Sequence, residues 1–164
     1  LDKDSDVNSR IIVLRKFDSK KNIIYFHTDL RSKKTVEIKN NQNTFFVFYD
    51  FDEKTQLRIK TFSKIHYQDN VSFKAWEMSK LSSRKCYLAL KPPGSNTNID
   101  EDSIPKHLKN KDPEKQESEK GYNNFVVVEN IIKNIEWLYL SSSGHKRLLI
   151  NLNNKDNKFQ WLIP

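Results

Sequence analysis

Residues 124–140 read NFVVVENIIKNIEWLYL. β-Branched and aromatic residues dominate the run, with no Gly or Pro, and it reads as one long, bent strand. It is the strongest β signal in the chain, and its neighbours agree with it. IIVLRKF (11–17) and IIYFHT (23–28) read as strands joined by the turn-like DSKKN (18–22). NTFFVFYDF (43–51) and TQLRIKTFSKIHY (55–67) follow as strands, the second with an expected irregularity near Phe62–Ser63. HKRLLINL (145–152) pairs back across Ser-Ser-Ser-Gly, and FQWLIP (159–164) closes the sheet.

Two minor helices complete the reading. Ser32 is a plausible N-cap for a short helix carrying Val36 and Ile38. Asp69 or Asn70 caps a second, where Val71, Ala75, Met78 and Leu81 recur at helical spacing. Residues 91–121 are charged, hold four prolines and lack periodic apolar positions. They read as a long mobile loop, centred on 95–120, with one short helical turn near Ile104–Leu108. The expected fold is mainly β: a single antiparallel barrel or sandwich domain over 1–164.

The net charge of +8 favours an anionic partner without choosing among nucleic acid, a membrane surface and a phosphorylated small molecule. The lone Cys86 rules out an internal disulfide framework. The polar opening LDKDSDVN lacks a signal-peptide core and no apolar run is long enough to span a bilayer, so a soluble cytoplasmic protein is expected. GxGxxG, Walker, CxxC and HExxH patterns are absent, and the four histidines show no metal-ligand spacing, so no metal is expected.

Four stretches invite a chemical reading. In RIIVLR, Arg10 and Arg15 either end a solvated strand or bind an anion; alternation sends them to opposite faces unless the strand twists or bulges. In HTDLRSKK a strand runs into a helix start. Thr28, Ser32, Lys33 and Lys34 there make either a capped helix or a phosphate cradle. Gln56 is either an exposed strand amide or a partner for a flat heterocycle. WLYLSSSGHKR is the most specific stretch: Trp137 offers a planar face, Arg147 a fork of donors, and His145 a further donor. The turn places Trp137 and Arg147 near each other on paired strands.

In this order, RIIVLR, FHTDLRSKK, NNQNTFFVFYD, TQLRIK and EWLYLSSSGHKR resemble the pyridoxamine 5′-phosphate oxidase family. The nearer resemblance is to its FMN-binding oxidase-like branch of cyanobacteria, plants and fungi, through LSSRKCYLALKPPG and GYNNFVVVENIIKNIEWLYL. The resemblance covers nearly all of 10–164 apart from the charged loop. It implies an antiparallel split β-barrel of Greek-key type, a homodimer, and FMN at the subunit interface.

Carried over by position, it implies FMN contacts from Arg10, Ile11, Val13, Leu14 and Arg15, then from Thr28 with His27 where a Tyr is usual. Ser32, Lys33 and Lys34 follow on the phosphate, Gln56 on the ring edge, and Trp137 with Arg147 at the end; Gly94 and Ser95 fall roughly where a Gln-Ser pair stands. It implies substrate contacts from Arg15, Ser83 and His145, with His145 as the catalytic candidate. The chain departs from the family at Ser143 and Leu81, each in place of an Arg. Arg84 is a candidate to stand in for the second. The implied activity is an FMN-dependent oxidase of vitamin B6 metabolism, passing hydride from an amine or alcohol carbon to the flavin and then to O₂. Alternatives are a flavin reductase-like enzyme on another substrate, a non-catalytic FMN-binding protein and, furthest from the resemblance, a basic barrel that binds nucleic acid.

Overall fold

The computed structural model describes residues 7–152 and 157–164; most of the polar opening therefore lies outside the described residues. Among the described residues, seven antiparallel strands form one sheet: β1 (Leu14–Asp18), β2 (Ile23–Asp29), β3 (Asn43–Asp50), β4 (Thr55–His66), β5 (Phe125–Tyr139), β6 (Lys146–Asn151) and β7 (Lys158–Leu162). The long strand read from the sequence is β5, and it organises the others. One of its edges pairs with β4 along almost its whole length. The other edge is split: Phe125–Ile131 pair with β2, and Asn134–Tyr139 pair with β6. The order β1-β2-β5-β4-β3, with β6 and β7 branching from β5, is a split barrel of Greek-key connectivity. The sheet does not close, so β7 ends it as an edge strand rather than completing a ring.

The irregularity expected near Phe62–Ser63 lies slightly earlier, between Lys60 and Thr61. The extra residue is on the partner strand: Lys60 pairs with Asn134 and Thr61 with Ile132, leaving Lys133 without an opposite number. This bulge reverses the alternation of β5. Val128 and Ile132 before it and Ile135 after it therefore all reach one core, with Ile24, Phe26, Phe46 and Ile59.

α1 (Lys33–Asn40) covers this core through Ile38, while Val36 is exposed. Ser32 occupies the N-cap position with extended backbone, but its hydroxyl makes no cap bond. A polar row crosses the same core face. The Thr44 hydroxyl lies 2.6 Å from those of Thr61 and Ser63, and Ser63 donates to Asn130 Oδ1 at 2.7 Å. The Asn130 amide in turn donates to the carbonyls of Ile24 and Val128. Each member has a partner, so its burial carries no unpaired-group penalty.

A second core lies on the opposite face of β5, around Phe125 and Val127. It is covered by α2 (Asn70–Glu77), α3 (Leu81–Arg84), the 3₁₀ turn Lys85–Leu88, α4 (Lys115–Ser118) and the 3₁₀ segment Glu119–Asn124. α2 is capped by Asp69, whose carboxylate accepts from the N–H groups of Val71 and Ser72. Its apolar stripe is not the expected one. Ser72 and Trp76 are buried, whereas Met78 is 86% exposed. Trp76 takes the covered position because Tyr87, Tyr122 and Phe125 pack their rings around it.

The charged loop also differs from expectation. The short turn appears at Lys106–Leu108, but Leu108, Pro113 and Ser118 are buried, so the second half of 95–120 is packed onto the domain. Arg84 is the pin. Its guanidinium donates to the Trp76 carbonyl at 2.7 Å, to Glu119 Oε1 at 2.6 Å and to Ser118 Oγ at 3.2 Å. It also lies 4.5 Å from the Trp76 ring centroid. The other Glu119 oxygen accepts from Trp76 Nε1 at 3.0 Å. Arg84 is only 3% exposed and, apart from its unpartnered Nε, donates inside the domain, so it is placed for packing rather than for the substrate contact expected of it. Replacing Arg84 by Ala removes the ion pair to Glu119 and the guanidinium packed on the Trp76 ring, with an expected loss of about 2–4 kcal/mol of stability. A urea midpoint equal to wild type would contradict this role.

Candidate functional site

The sequence-selected residues fall into three groups. The first sits where β2 runs into α1. Thr28 and Ser32 are buried, their hydroxyl oxygens 3.4 Å apart, and Lys34 Nζ donates to Thr28 Oγ1 at 2.9 Å. Arg10 reaches the same place, donating to Glu37 Oε2 at 2.7 Å. Burial pushes the Lys34 ammonium pKa down and the Arg10 charge pushes it further, against the opposing pull of Asp29 and Glu37. Two cations and two hydroxyls thus gather at a half-buried junction beside the Glu37 carboxylate, a donor set suited to a dianion. Lys33 is exposed on the first turn of α1 and lies outside this convergence.

The second group lies on the other side of β2. Arg15 occupies the irregularity between Leu14 and Lys16, and its charge acts on His27, Cys86 and Tyr87. Arg10 and Arg15 serve opposite sides, but not by strand alternation: Arg10 precedes β1, and Arg15 sits in the irregularity itself. His27 packs edge-on against Phe125, with ring centroids 4.8 Å apart. Burial, helped by Arg15, drops its pKa from 6.5 to about 4. His27 is therefore neutral at physiological pH. Ser83 is half-buried in α3 nearby, its carbonyl accepting from the Cys86 thiol at 3.1 Å. Ile11 and Val13 are largely exposed.

The third group lies at the far end of β5. Gln56 and Arg147 flank Leu138 on one face of the sheet. Arg147 donates to Glu136 Oε2 at 2.9 Å, and Arg58 donates to Glu136 Oε1 at 2.9 Å, so one carboxylate holds two guanidiniums. Glu136 was not singled out from the sequence; its place directly before Trp137 gave no signal until the pairing was known. Trp137 does not join Arg147. It pairs with Leu148 while Arg147 pairs with Leu138, so their side chains leave opposite faces. A separation of ten positions brought them to adjacent rungs, but adjacency by one rung reverses the face. His145 is exposed, and its Nδ1 accepts the Ser141 N–H at 3.1 Å, which leaves Nε2 to carry the neutral ring's proton. Ser95 is exposed in the loop, its hydroxyl donating to the Pro92 carbonyl, remote from all three groups in the described contacts.

The first and third groups are far apart. Thr28 pairs with Val126, and Gln56 pairs with Leu138. The strand path between those rungs is on the order of 40 Å. Apolar surface is exposed around the far end, including Val47, Tyr49, Phe51, Phe159 and Trp161. Of the β3 aromatics, Phe46 is the one in the core cluster among the described residues.

The depressed His27 pKa has a consequence for stability. The unfolded chain protonates His27 near pH 6.5 and the folded chain only near pH 4, so stability falls as pH is lowered through this window. Urea midpoints taken down that range should drop more for wild type than for His27→Phe. Parallel profiles would exclude His27 as a source of acid sensitivity.

Residues 2–67 match the family model described as the pyridoxamine 5′-phosphate oxidase FMN-binding domain. The match takes in the first two groups' β1–β2 and α1 residues and Gln56, and stops before the hairpin after β5. The fold is shared with a pyridoxamine 5′-phosphate oxidase-related, FMN-binding protein from Nostoc punctiforme, with a TM-score of 0.78 and 18% identity over 100% of this chain and 84% of that one. It is also shared with PhzG from Burkholderia lata, solved with tetrahydrophenazine-1-carboxylic acid, with a TM-score of 0.74 and 17% identity over 100% of this chain and 79% of that one. No curated protein matches the chain.

Proposed function

We propose that this chain, which carries the pyridoxamine 5′-phosphate oxidase FMN-binding domain over residues 2–67, binds FMN and serves as an FMN-dependent oxidoreductase. The observation that carries the reading is the convergence of Arg10, Lys34, Thr28 and Ser32 where β2 meets α1. A phosphate there meets hydroxyl and ammonium donors and relieves the repulsion between the two cations. Gln56 and Arg147, on one face at the far end of β5, are the residues to meet the ring. Glu136 fixes the direction of the Arg147 fork. FMN held by these residues would supply the redox chemistry, a hydride acceptor for an amine- or alcohol-bearing carbon with O₂ as the final acceptor.

The long strand path between the two groups favours a site shared between two copies, the cradle from one and the hairpin from its partner. The exposed apolar residues at the far end supply surface for such a homodimer. His145, with a proton on Nε2, is the group placed to donate to a substrate at the hairpin. A second reading has its own support. Ser143 turns its hydroxyl to Ser141, Leu81 supplies no cation, and Arg84 is spent inside the protein. The weakened substrate anchor favours turnover of something other than pyridoxamine 5′-phosphate, or FMN binding without turnover.

A visible spectrum and acid release of the chromophore test the cofactor. Lys34→Ala and Arg147→Ala should each weaken FMN binding about 10- to 100-fold, since each removes a charge-assisted hydrogen bond. Mixing the two variants should restore FMN to about one site in each mixed dimer, because one of its two sites is intact. Failure of the mixture to recover FMN, with each variant folded, would place the whole site in one chain.

A further inference from the structure

The turn between β2 and α1 holds a buried carboxylate beside the cationic junction. Asp29 ends β2 and is 7% exposed. It directly follows Thr28, whose hydroxyl takes the Lys34 ammonium, and its charge acts on Lys34. An uncompensated carboxylate at that place would repel an incoming phosphate and compete with it for the ammonium.

Arg31 closes over this carboxylate. Its Nε and Nη2 donate to the two Asp29 oxygens at 3.0 and 2.7 Å, a bidentate pair, and its backbone N–H donates to Oδ1 at 2.8 Å. The same guanidinium donates through Nη1 and Nη2 to the Ala89 carbonyl, each at 3.1 Å. Ala89 follows the 3₁₀ turn Lys85–Leu88, so one side chain joins the β2–α1 turn to the stretch that carries Ser83 and Cys86. The rest of the turn is fixed independently. The Leu30 N–H donates to the Asn124 carbonyl at 2.7 Å, and the Thr35 hydroxyl lies 2.7 Å from the Leu30 and Ser32 carbonyls.

The charges at the junction give this arrangement a use beyond packing. Arg10, Arg31 and Lys34 stand against Asp29 and Glu37, which leaves one net positive charge. Without Arg31 the two carboxylates cancel the two remaining cations, and the attraction for a dianion is lost. Removing one partner of a buried pair leaves the other charge exposed to its neighbours.

We infer that Arg31 is a positioning residue of the phosphate cradle: it masks the Asp29 carboxylate and ties the turn to Ala89, so that the junction presents a net positive charge to a dianion. Arg31 acts through Asp29 rather than on the phosphate. The inference rests on the flavin reading, since it names what keeps that site's charge favourable.

Flavin fluorescence titrations of the full chain with FMN and with riboflavin, which lacks the phosphate, test this. Arg31→Ala should weaken FMN about tenfold and change riboflavin by less than about twofold. The double variant Asp29→Asn/Arg31→Ala should return FMN to within about threefold of wild type, because the unmasked charge has gone with its mask. A purely structural role predicts that both flavins weaken together and that the double variant does not recover; either result would overturn the inference. Should Arg31→Ala not fold, Arg31→Gln keeps an amide donor for Asp29 without the charge, and the same comparison decides. Wild type that takes up neither flavin would overturn the flavin reading instead. Calorimetric titration with inorganic phosphate would then decide Arg31 alone, weaker binding by the variant supporting its role and equal binding overturning it.

Discussion

The shared ladder of β5 is the constraint on which the structure depends. One strand serves β4 on one edge and, in succession, β2 and β6 on the other. A strand that long twists, and strict alternation would carry its apolar side chains off the core partway along. The unpaired Lys133 resets the alternation at the point where the edge changes partner. Without it, either Val128 and Ile132 or Ile135 and Trp137 would face the wrong side. The same reset decides that Trp137 and Lys146 share a groove while Gln56 and Arg147 share the opposite face.

Electrostatics at the other end run against local stability. Lys34 is partly desolvated beside Arg10, an arrangement that a folded chain does not need for its own sake. Glu37 offsets part of the repulsion by taking the Arg10 guanidinium, and Thr28 takes the ammonium. The cations at this short helix start are thus held by partners rather than dispersed into water. Arg84 is the contrasting case: its charge is matched by Glu119 and its remaining bonds are internal, so it serves the packing of α2 against 106–124.

The strands were legible because their period and composition agree at every position, and β2 through β6 fall close to where the pattern put them. The grouping of Thr28, Ser32 and Lys34 at the strand-to-helix junction was legible for a similar reason, since the three come from one short local stretch. Three things were hidden because they depend on distant pairing. The face shared by Trp137 required the β5–β6 register. The burial of Trp76 required three aromatic partners from other segments. The packing of 106–124 rests on a few anchors, Leu108, Pro113 and Ser118, too sparse to make a period. Charge composition masked them, because the residues between are solvated.

The polar row of Thr44, Thr61, Ser63 and Asn130 bears on how the strands find one another. Sliding a strand by two residues keeps every apolar side chain on its own face, so hydrophobic burial distinguishes such slips poorly. The row is not invariant to that slide. A two-residue slip of β4 one way puts Ile65 opposite Asn130 and leaves its carbonyl oxygen facing hydrocarbon; the other way puts Ile59 opposite Thr44 and costs one of the hydroxyl contacts now 2.6 Å long. The row therefore acts as a vernier on the sheet, converting a degenerate set of pairings into one, and residues that look like a concession in the core are what make its alignment unique.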